Sequence, residues 1–535
     1  MKRYLKIFKN HGKSLLLLLV FTLICSVFSI GMTYIGGMYI DIVVEAKDMS
    51  NIYRVCIILF VITCVSLIAK YGITYQSGTV TETLIYHLKK RVLEHLKKIS
   101  VIEYNKYNIS YLAKRIDEDS RQIVRFIMNC FSSTFVKTIE IMAIFMIVFS
   151  LNIYIGIVMF MLCPMYFFLY KKFRNSIYQK NLVVKEREAE LFQGIANQLE
   201  YMEDILIEAD FEREESILDS YYNSYFKSYK GFIGTNVRFT FCQGILVCVM
   251  QIIIFLVGGY SVLQGYTSIG NLSILMSYFM QILSNITYYI EIGKEYQIAK
   301  TSIHRMNMLL DLEVVEDGKG EINEIDNIQA DLTFKIDDKK ILSQLKVEAS
   351  RGEVIGVVGE NGSGKTTMIK LLIGLYRNND ECMIIYNGDS SLNSLNSLTF
   401  RRKYLSYVSQ KIRFRDISIH ETLNEVKKLE SSDELIKLLE EKGIPVTEAL
   451  KSFFYNNWEV KVNTLSGGDK QLIAIIRSIL KEKPIVVFDE PTSNLDCNRC
   501  LWFYDMISNL KKSNIIFVIT HDQRGTYTFD RVINL

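Results

Sequence analysis

Between Gly359 and Thr366 the chain reads Gly-Glu-Asn-Gly-Ser-Gly-Lys-Thr. Residue types in this spacing suit one task, the holding of a polyphosphate. Gly359, Gly362 and Gly364 free the backbone to curl, so that N–H groups along Glu360, Asn361 and Ser363 can surround an anion. Lys365 adds a charge for the β- and γ-phosphates, and Thr366 offers a hydroxyl to a divalent cation, with Thr367 beside it. The context is right for such a loop. Glu353–Val358 is a short apolar run that reads as a buried strand, and Thr367–Tyr376 reads as a helix.

A second set of chemical residues follows. Ile485–Phe488 reads as a buried strand, and it ends in Asp489 and Glu490. A carboxylate at Asp489 can hold Mg²⁺ directly or through water, and Glu490 can polarise an attacking water as a general base. Gln410 follows the strand-like Tyr404–Ser409. His521 follows the strand-like Ile515–Thr520. Leu-Ser-Gly-Gly, from Leu465 to Gly468, lies just before the Asp-Glu pair. A lone histidine is usually structural, but four companion blocks in this order reverse that expectation.

The five blocks together resemble the ATP-binding cassettes of ABC transporters, over the last third of the chain. The resemblance implies ATP and Mg²⁺ as cofactors, with Thr366, Gln410 and Asp489 around the metal. It implies that Glu490, His521 and Lys365 are catalytic, His521 by contacting the γ-phosphate. Ser493–Asp496 resembles the family's D-loop. In the family Ser466, Gly467 and Gly468 close over ATP held by a partner subunit. A chain with one cassette is then half a transporter. All five blocks are intact, which favours a homodimer over a pairing with a relative. The sequence departs from the family in places. Ile336 stands where an aromatic usually stacks on adenine, with Phe334 or Tyr386 as candidate substitutes. Asp469 replaces a Gln or Glu, and Asn457–Val462 replaces a Gly-Glu-rich segment. The chain also ends soon after His521, where the family usually adds helices.

Apolar residues make up 49% of the 535 residues and crowd the part before Ile290. A helix needs about 20 apolar residues to cross the hydrocarbon core. Ser14–Ile40, Val55–Ala69 extended past Lys70 by the uncharged stretch to Thr81, Ile127–Phe149 and Ile153–Tyr170 supply four spans. The charge-free stretch Phe239–Ile290 supplies two more, turning at Gln264–Ser268. Lysines and arginines flank the N-terminus and follow spans two and four, which puts these segments and the ATPase on the cytoplasmic side. Leu84–Ile99 and Leu182–Leu206 have helical periodicity, so the spans extend into the cytoplasm. That alternation resembles ABC exporters, whose loop tips are short coupling helices. The resemblance puts the tips near Glu103–Ser110 and Phe192–Tyr201. Lys137 and Glu140 lie three apart near the start of span three. A charge within a span is a site hypothesis, but these read first as part of the cytoplasmic extension or as a mutual pair, and Pro164 reads as a kink.

The expected fold class is a membrane all-α six-helix domain with long cytoplasmic helical extensions, residues 1–310, followed by an α/β P-loop ABC ATPase domain, residues 311–535. Net charge is only +4, with no nucleic-acid footprint. Cys497 and Cys500 form a C-x-x-C without the second pair that zinc requires. Abundant Lys, Asn and Ile with four prolines suggest a low-GC bacterium. The function implied is ATP-driven export across the cytoplasmic membrane, with membrane lipid around the chain. A peptide resembling bacteriocins or lantibiotics is the leading substrate. A drug or lipid is the alternative, and an ATP-gated channel or membrane-bound regulator is the alternative of another class.

Overall fold

The computed structural model describes residues 4, 8, 11–46, 49–107, 109–315, 318–336, 339–360, 362–376, 382–388, 390–521 and 528–535. Two compact units result, one from residues 1–93 and 110–310, the other from 94–109 and 311–535.

The first unit is helical. Its elements are α1 (Gly12–Asp41), α2 (Met49–Leu96), then, beyond a short helix α3 (Val101–Asn105), α4 (Ile109–Asn129). A π-helical turn, Cys130–Thr134, leads into α5 (Phe135–Leu151). Then come α6 (Ile153–Glu200), a short α7 (Met202–Glu208), α8 (Phe211–Leu263) and α9 (Ile269–Leu310). Asn152 caps α6 by accepting from the amides of Tyr154 and Ile155, which explains the break after span three. The gap between α8 and α9 falls at residues 264–268, where the sequence placed the turn.

Five stretches among the described residues are long and apolar enough to cross a membrane, namely Gly12–Val44, Met49–Leu96, Leu112–Leu151, Ile153–Glu200 and Phe211–Leu263. Large apolar side chains such as Leu16, Val27, Phe60 and Ile68 point outward along them, a surface that suits lipid rather than water. The sixth long helix, α9, is less apolar, because Asn271, Gln281 and Asn285 interrupt its charge-free run. It compensates by burial. Ile274, Leu275, Tyr278, Phe279 and Ile282 of α9 form the core of the unit with Ile144, Ile155, Met159 and Ile254. At its start α9 lies almost against α1. A Cβ on Gly270 would meet the Gly37 carbonyl oxygen at 2.1 Å. Asp41 of α1 also accepts from Ser268 Oγ and the Gly270 amide, both at 2.6 Å, and so caps α9 from outside.

The loop tips differ from expectation in one case. The first tip is the short helix α3, capped by Ser100, which overlaps the expected region at Glu103–Asn105. The second is not at Phe192–Tyr201. Those residues continue α6 to Glu200, and the short helix is α7, further along. Ala209, left-handed at φ 54°, stops α7, and Asp210 caps α8 by accepting from the Arg213 amide. The expected span-three pair is also not formed. Lys137 Nζ donates to Asn285 Oδ1 at 2.7 Å rather than to Glu140.

The second unit is α/β. Its central sheet has five parallel strands in the order β6-β7-β8-β3-β9, where β3 is Val354–Val358, β6 Leu405–Val408, β7 Ile485–Asp489, β8 Ile515–Ile519 and β9 Arg531–Asn534. A four-stranded antiparallel sheet runs β2-β1-β4-β5, with β1 Asn327–Ile336, β2 Lys339–Ser350, β4 Met383–Tyr386 and β5 Ser390–Ser391. The parallel strands are apolar on both faces because both are covered. Ile485 and Val487 of β7 face one core, Val486 and Phe488 the other. Residues 94–109 belong to this unit. Val315 donates its amide to Lys98 O at 3.0 Å, Ile99 bridges Val314, and Ile102 of α3 packs against the first core.

Candidate active site

Four of the five chemical blocks sit at the carboxyl ends of parallel strands, and these four strands are neighbours in the sheet. Gln410 lies beyond β6, Asp489 and Glu490 at the end of β7, His521 beyond β8, and the glycine loop beyond β3. Parallel order alone therefore brings together residues far apart in sequence.

After β3 the loop turns through left-handed glycines, Gly362 at φ 85° and Gly364 at φ 103°. A side chain at Gly359 would meet Leu535 O at 2.4 Å, so the loop and the β9 end are close. The following helix α10 is Lys365–Leu372, shorter than the expected Thr367–Tyr376, because the chain turns at Ile373–Gly374. Thr366 and Thr367 stand in its first turn, where N–H groups are free for an anion. Lys365 is buried and bends back over the loop, its Nζ donating to Gly359 O at 2.7 Å and Glu360 O at 2.8 Å. Ser363 Oγ is buried with no hydrogen-bond partner among the described residues. An unpaired hydroxyl, a buried ammonium and a helix N-terminus fit a phosphate group. Asn361 lies outside the described residues.

The carboxylates are held differently from one another. Asp489 is buried, and the Tyr407 hydroxyl donates to its Oδ2 at 2.7 Å. Burial pushes the Asp489 carboxyl above the ordinary carboxylate range, and the Tyr407 hydrogen bond pulls the other way. Tyr407 itself is raised by its burial and by that same hydrogen bond. Glu490 adopts a left-handed φ of 50°, which is strained for a side chain of this size. Its Oε2 accepts from Gln410 Nε2 at 2.7 Å, and His521 Nδ1 lies 3.9 Å from its Oε1. Glu490 is largely covered, at 17% exposed, whereas His521 is 63% exposed. Sequence reasoning missed Tyr407. Its only signal is its position in β6, three residues before Gln410.

The Leu-Ser-Gly-Gly block lies apart from these groups. Ser466 caps helix α11 (Gly467–Leu480) by accepting from the Asp469 amide, and its hydroxyl donates to Asp469 Oδ2 at 2.6 Å. Asp469 pairs with Arg499 at 2.8 Å. Gly468 has room for no side chain, since a Cβ there would meet Asn494 O at 2.7 Å. Among the described residues no hydrogen bond or ion pair links Ser466, Gly467 or Gly468 to Lys365, Gln410, Asp489 or Glu490.

The adenine expectation changes. Phe334 is buried and stacks on Tyr376, ring centroids 5.4 Å apart. Tyr386 is fully buried and donates to Leu372 O at 2.7 Å. Both belong to the core, so neither substitutes as a base-stacking aromatic. The side chain of Ile336 lies outside the described residues. Cys497, exposed, and Cys500, buried, begin helix α12 (Cys497–Leu510) with no disulfide between them.

Residues 15–286 match the family described as ABC transporter transmembrane region, and residues 342–493 that described as ABC transporter. The chain is 22% identical over 512 residues to the nisin transport ATP-binding protein of Lactococcus lactis subsp. lactis, covering 90% of this chain and 83% of that one. It is 22% identical over 485 residues to the ATP-dependent lipid A-core flippase of Mannheimia succiniciproducens, covering 87% and 80%. A solved structure described as a bacterial Atm1-family ABC exporter with ATP bound shares the fold, with a TM-score of 0.81 at 17% identity, covering 99% of this chain and 94% of that one.

Proposed function

From the premise that this chain belongs to the ABC transporters, we propose that it is one half of a homodimer that exports peptides across the bacterial cytoplasmic membrane. The coarser part is plain. The chain is an ABC exporter, a multi-pass membrane protein whose cytoplasmic ATPase is coupled to transport.

The observation that carries the site assignment is the convergence of Gln410, Glu490 and His521 beside the glycine loop. Glu490 takes the proton of an attacking water, and its strained backbone and the Gln410 amide fix its direction. Lys365 and the loop amides hold the phosphates, with Ser363 Oγ as a further donor. His521 contacts the terminal phosphate. Thr366, Gln410 and Asp489 are the residues suited to Mg²⁺, which when bound would neutralise phosphate charge and order it. Ser466, Gly467 and Gly468, which no hydrogen bond or ion pair among the described residues links to Lys365, act on the partner's ATP. Gln410 at the mouth of the site is suited to report the state of the membrane half.

Peptide as substrate is supported by the relative named for nisin transport. The lipid A-core flippase supports lipid as the second reading. The test is ATPase activity in proteoliposomes. Stimulation by added peptide, with transport into the lumen, is expected. Stimulation by a lipid alone would replace the peptide reading, and substrate flux without ATP turnover would favour a gated channel. Native mass spectrometry from nanodiscs should find two copies, and a fully active monomer would remove the dimer.

A further inference from the structure

Buried polar groups nearly always find hydrogen-bond partners, so those that lack one point to something that binds. The helical unit holds two on one face of α9. Asn285 is 2% exposed, and its Nδ2 has no partner among the described residues; nor has the buried Oε1 of Gln281, one turn earlier. The amide orientations are fixed by chemistry. A lysine only donates, so Lys137 Nζ, at 2.7 Å, must face the oxygen of Asn285 and leave its nitrogen free. The Thr33 hydroxyl donates to Ser29 O, so it accepts from Gln281 Nε2 at 2.7 Å and leaves the Gln281 oxygen free. The result is one unused donor and one unused acceptor at i and i+4, neighbours on the helix surface.

Lys137 completes the cluster. It sits near the start of span three, in the first turn of α5, and a charge within a span is a site hypothesis by default. Its ammonium lies 5.1 Å from the Tyr288 ring centre and, among the described residues, makes one hydrogen bond of the three it can donate. No ion pair joins it to Glu140 or to any other described carboxylate.

We propose that Gln281 and Asn285, with Lys137 beside them, form a binding site for peptide backbone, and this rests on the peptide reading above. An extended peptide presents N–H and C=O groups along one edge. An N–H donates to Gln281 Oε1, a C=O accepts from Asn285 Nδ2, and Lys137 takes a further carbonyl or a carboxylate. Recognition of backbone rather than side chains makes the site tolerant of sequence. A hydrocarbon chain offers nothing to either amide.

The test uses the full chain in nanodiscs and fluorescence anisotropy. The probe is an end-blocked, fluorescein-labelled decapeptide of alternating leucine and serine, compared with the same chain carrying esters in place of alternate amides. The amide probe should bind at least about tenfold more tightly than the ester, because each ester removes a donor to a buried acceptor. Gln281→Leu and Asn285→Leu should each lose about tenfold or more on the same ground. Asn285→Asp keeps the side chain's size, gains Lys137 as an ion partner and removes the free donor. It should fold and still lose binding, so it decides the matter if the leucine variants do not fold. Equal binding of the amide probe by parent and Asn285→Asp overturns the site and leaves peptide export standing. Equal binding of amide and ester probes overturns it in the same way. A parent that binds neither probe while lipid stimulates its ATPase overturns the peptide reading and this site together.

Discussion

Two polar clusters organise this chain, and they are built on opposite plans. In the ATPase unit the chemical groups sit at the ends of adjacent parallel strands, in segments whose residue types announce them. Most are already engaged. Lys365 is tied to two carbonyls, Asp489 to Tyr407 and Glu490 to Gln410. In the helical unit the polar groups come from α1, α5 and α9, no local motif marks them, and two amide atoms are left unused. The first plan fixes groups before the ligand arrives, which suits chemistry that must be repeated without error. The second leaves capacity that a cargo can fill and vacate, which suits transport.

The largest effect is expected at Glu490. Glu490→Gln keeps shape and the contact to Gln410 but removes the base, so hydrolysis should fall by about 10²–10⁴ while ATP still binds. Steady-state ATPase and nucleotide-binding assays check both halves, and hydrolysis at the parental rate would show that the engaged cluster is not catalytic. Next comes Tyr407, which holds Asp489 from behind. Tyr407→Phe should raise the Mg²⁺ concentration for half-maximal turnover by roughly 10-fold or more, as loss of an outer-shell partner usually does. Electron paramagnetic resonance with Mn²⁺ gives the same comparison without turnover, and an unchanged affinity would mean the hydroxyl is incidental.

A third prediction separates the clusters. Gly270→Val forces a side chain into the Gly37 backbone and Asp41, and overpacking of this kind costs about 1–3 kcal/mol. It should shift α9 against α1 and weaken peptide binding, while nucleotide affinity stays at the parental value. Loss of both would mean the plans are not separable. The smallest effect concerns adenine. Ile336→Tyr restores an aromatic at the position where the family stacks on the base. At the low end of about 1–3 kcal/mol per stacked base it should lower the ATP concentration for half-maximal turnover about fivefold. Phe334→Ala should instead lower the melting temperature, because Phe334 is a core residue. If that variant keeps its stability and loses ATP affinity, Phe334 stacks on the base after all.

The sequence by itself determined the ATPase cluster almost completely. Each of its blocks is local: a glycine loop, an Asp-Glu pair after a strand or a Gln after a strand needs only a few residues to be read. Five of the six expected spans were equally legible, because lipid imposes length and apolarity on each helix separately. Tertiary structure decided the rest. Tyr407 reaches Asp489 only because β6 pairs with β7. Phe334 is removed from adenine by packing on Tyr376, which no pattern in β1 announces. The second loop tip moved to α7 because helix α6 runs unbroken to Glu200, through the region where the resemblance put the tip, and Ala209 and Asp210 set the end of α7 and the start of α8. Spacing along one helix offers Lys137 only Glu140 as a partner. The partner it takes, Asn285, lies 148 positions away, and only the packing of α5 against α9 brings them together. Motifs record contacts made by neighbours along the chain. A site assembled from three helices leaves no such record, because the residues that complete it are chosen by the fold.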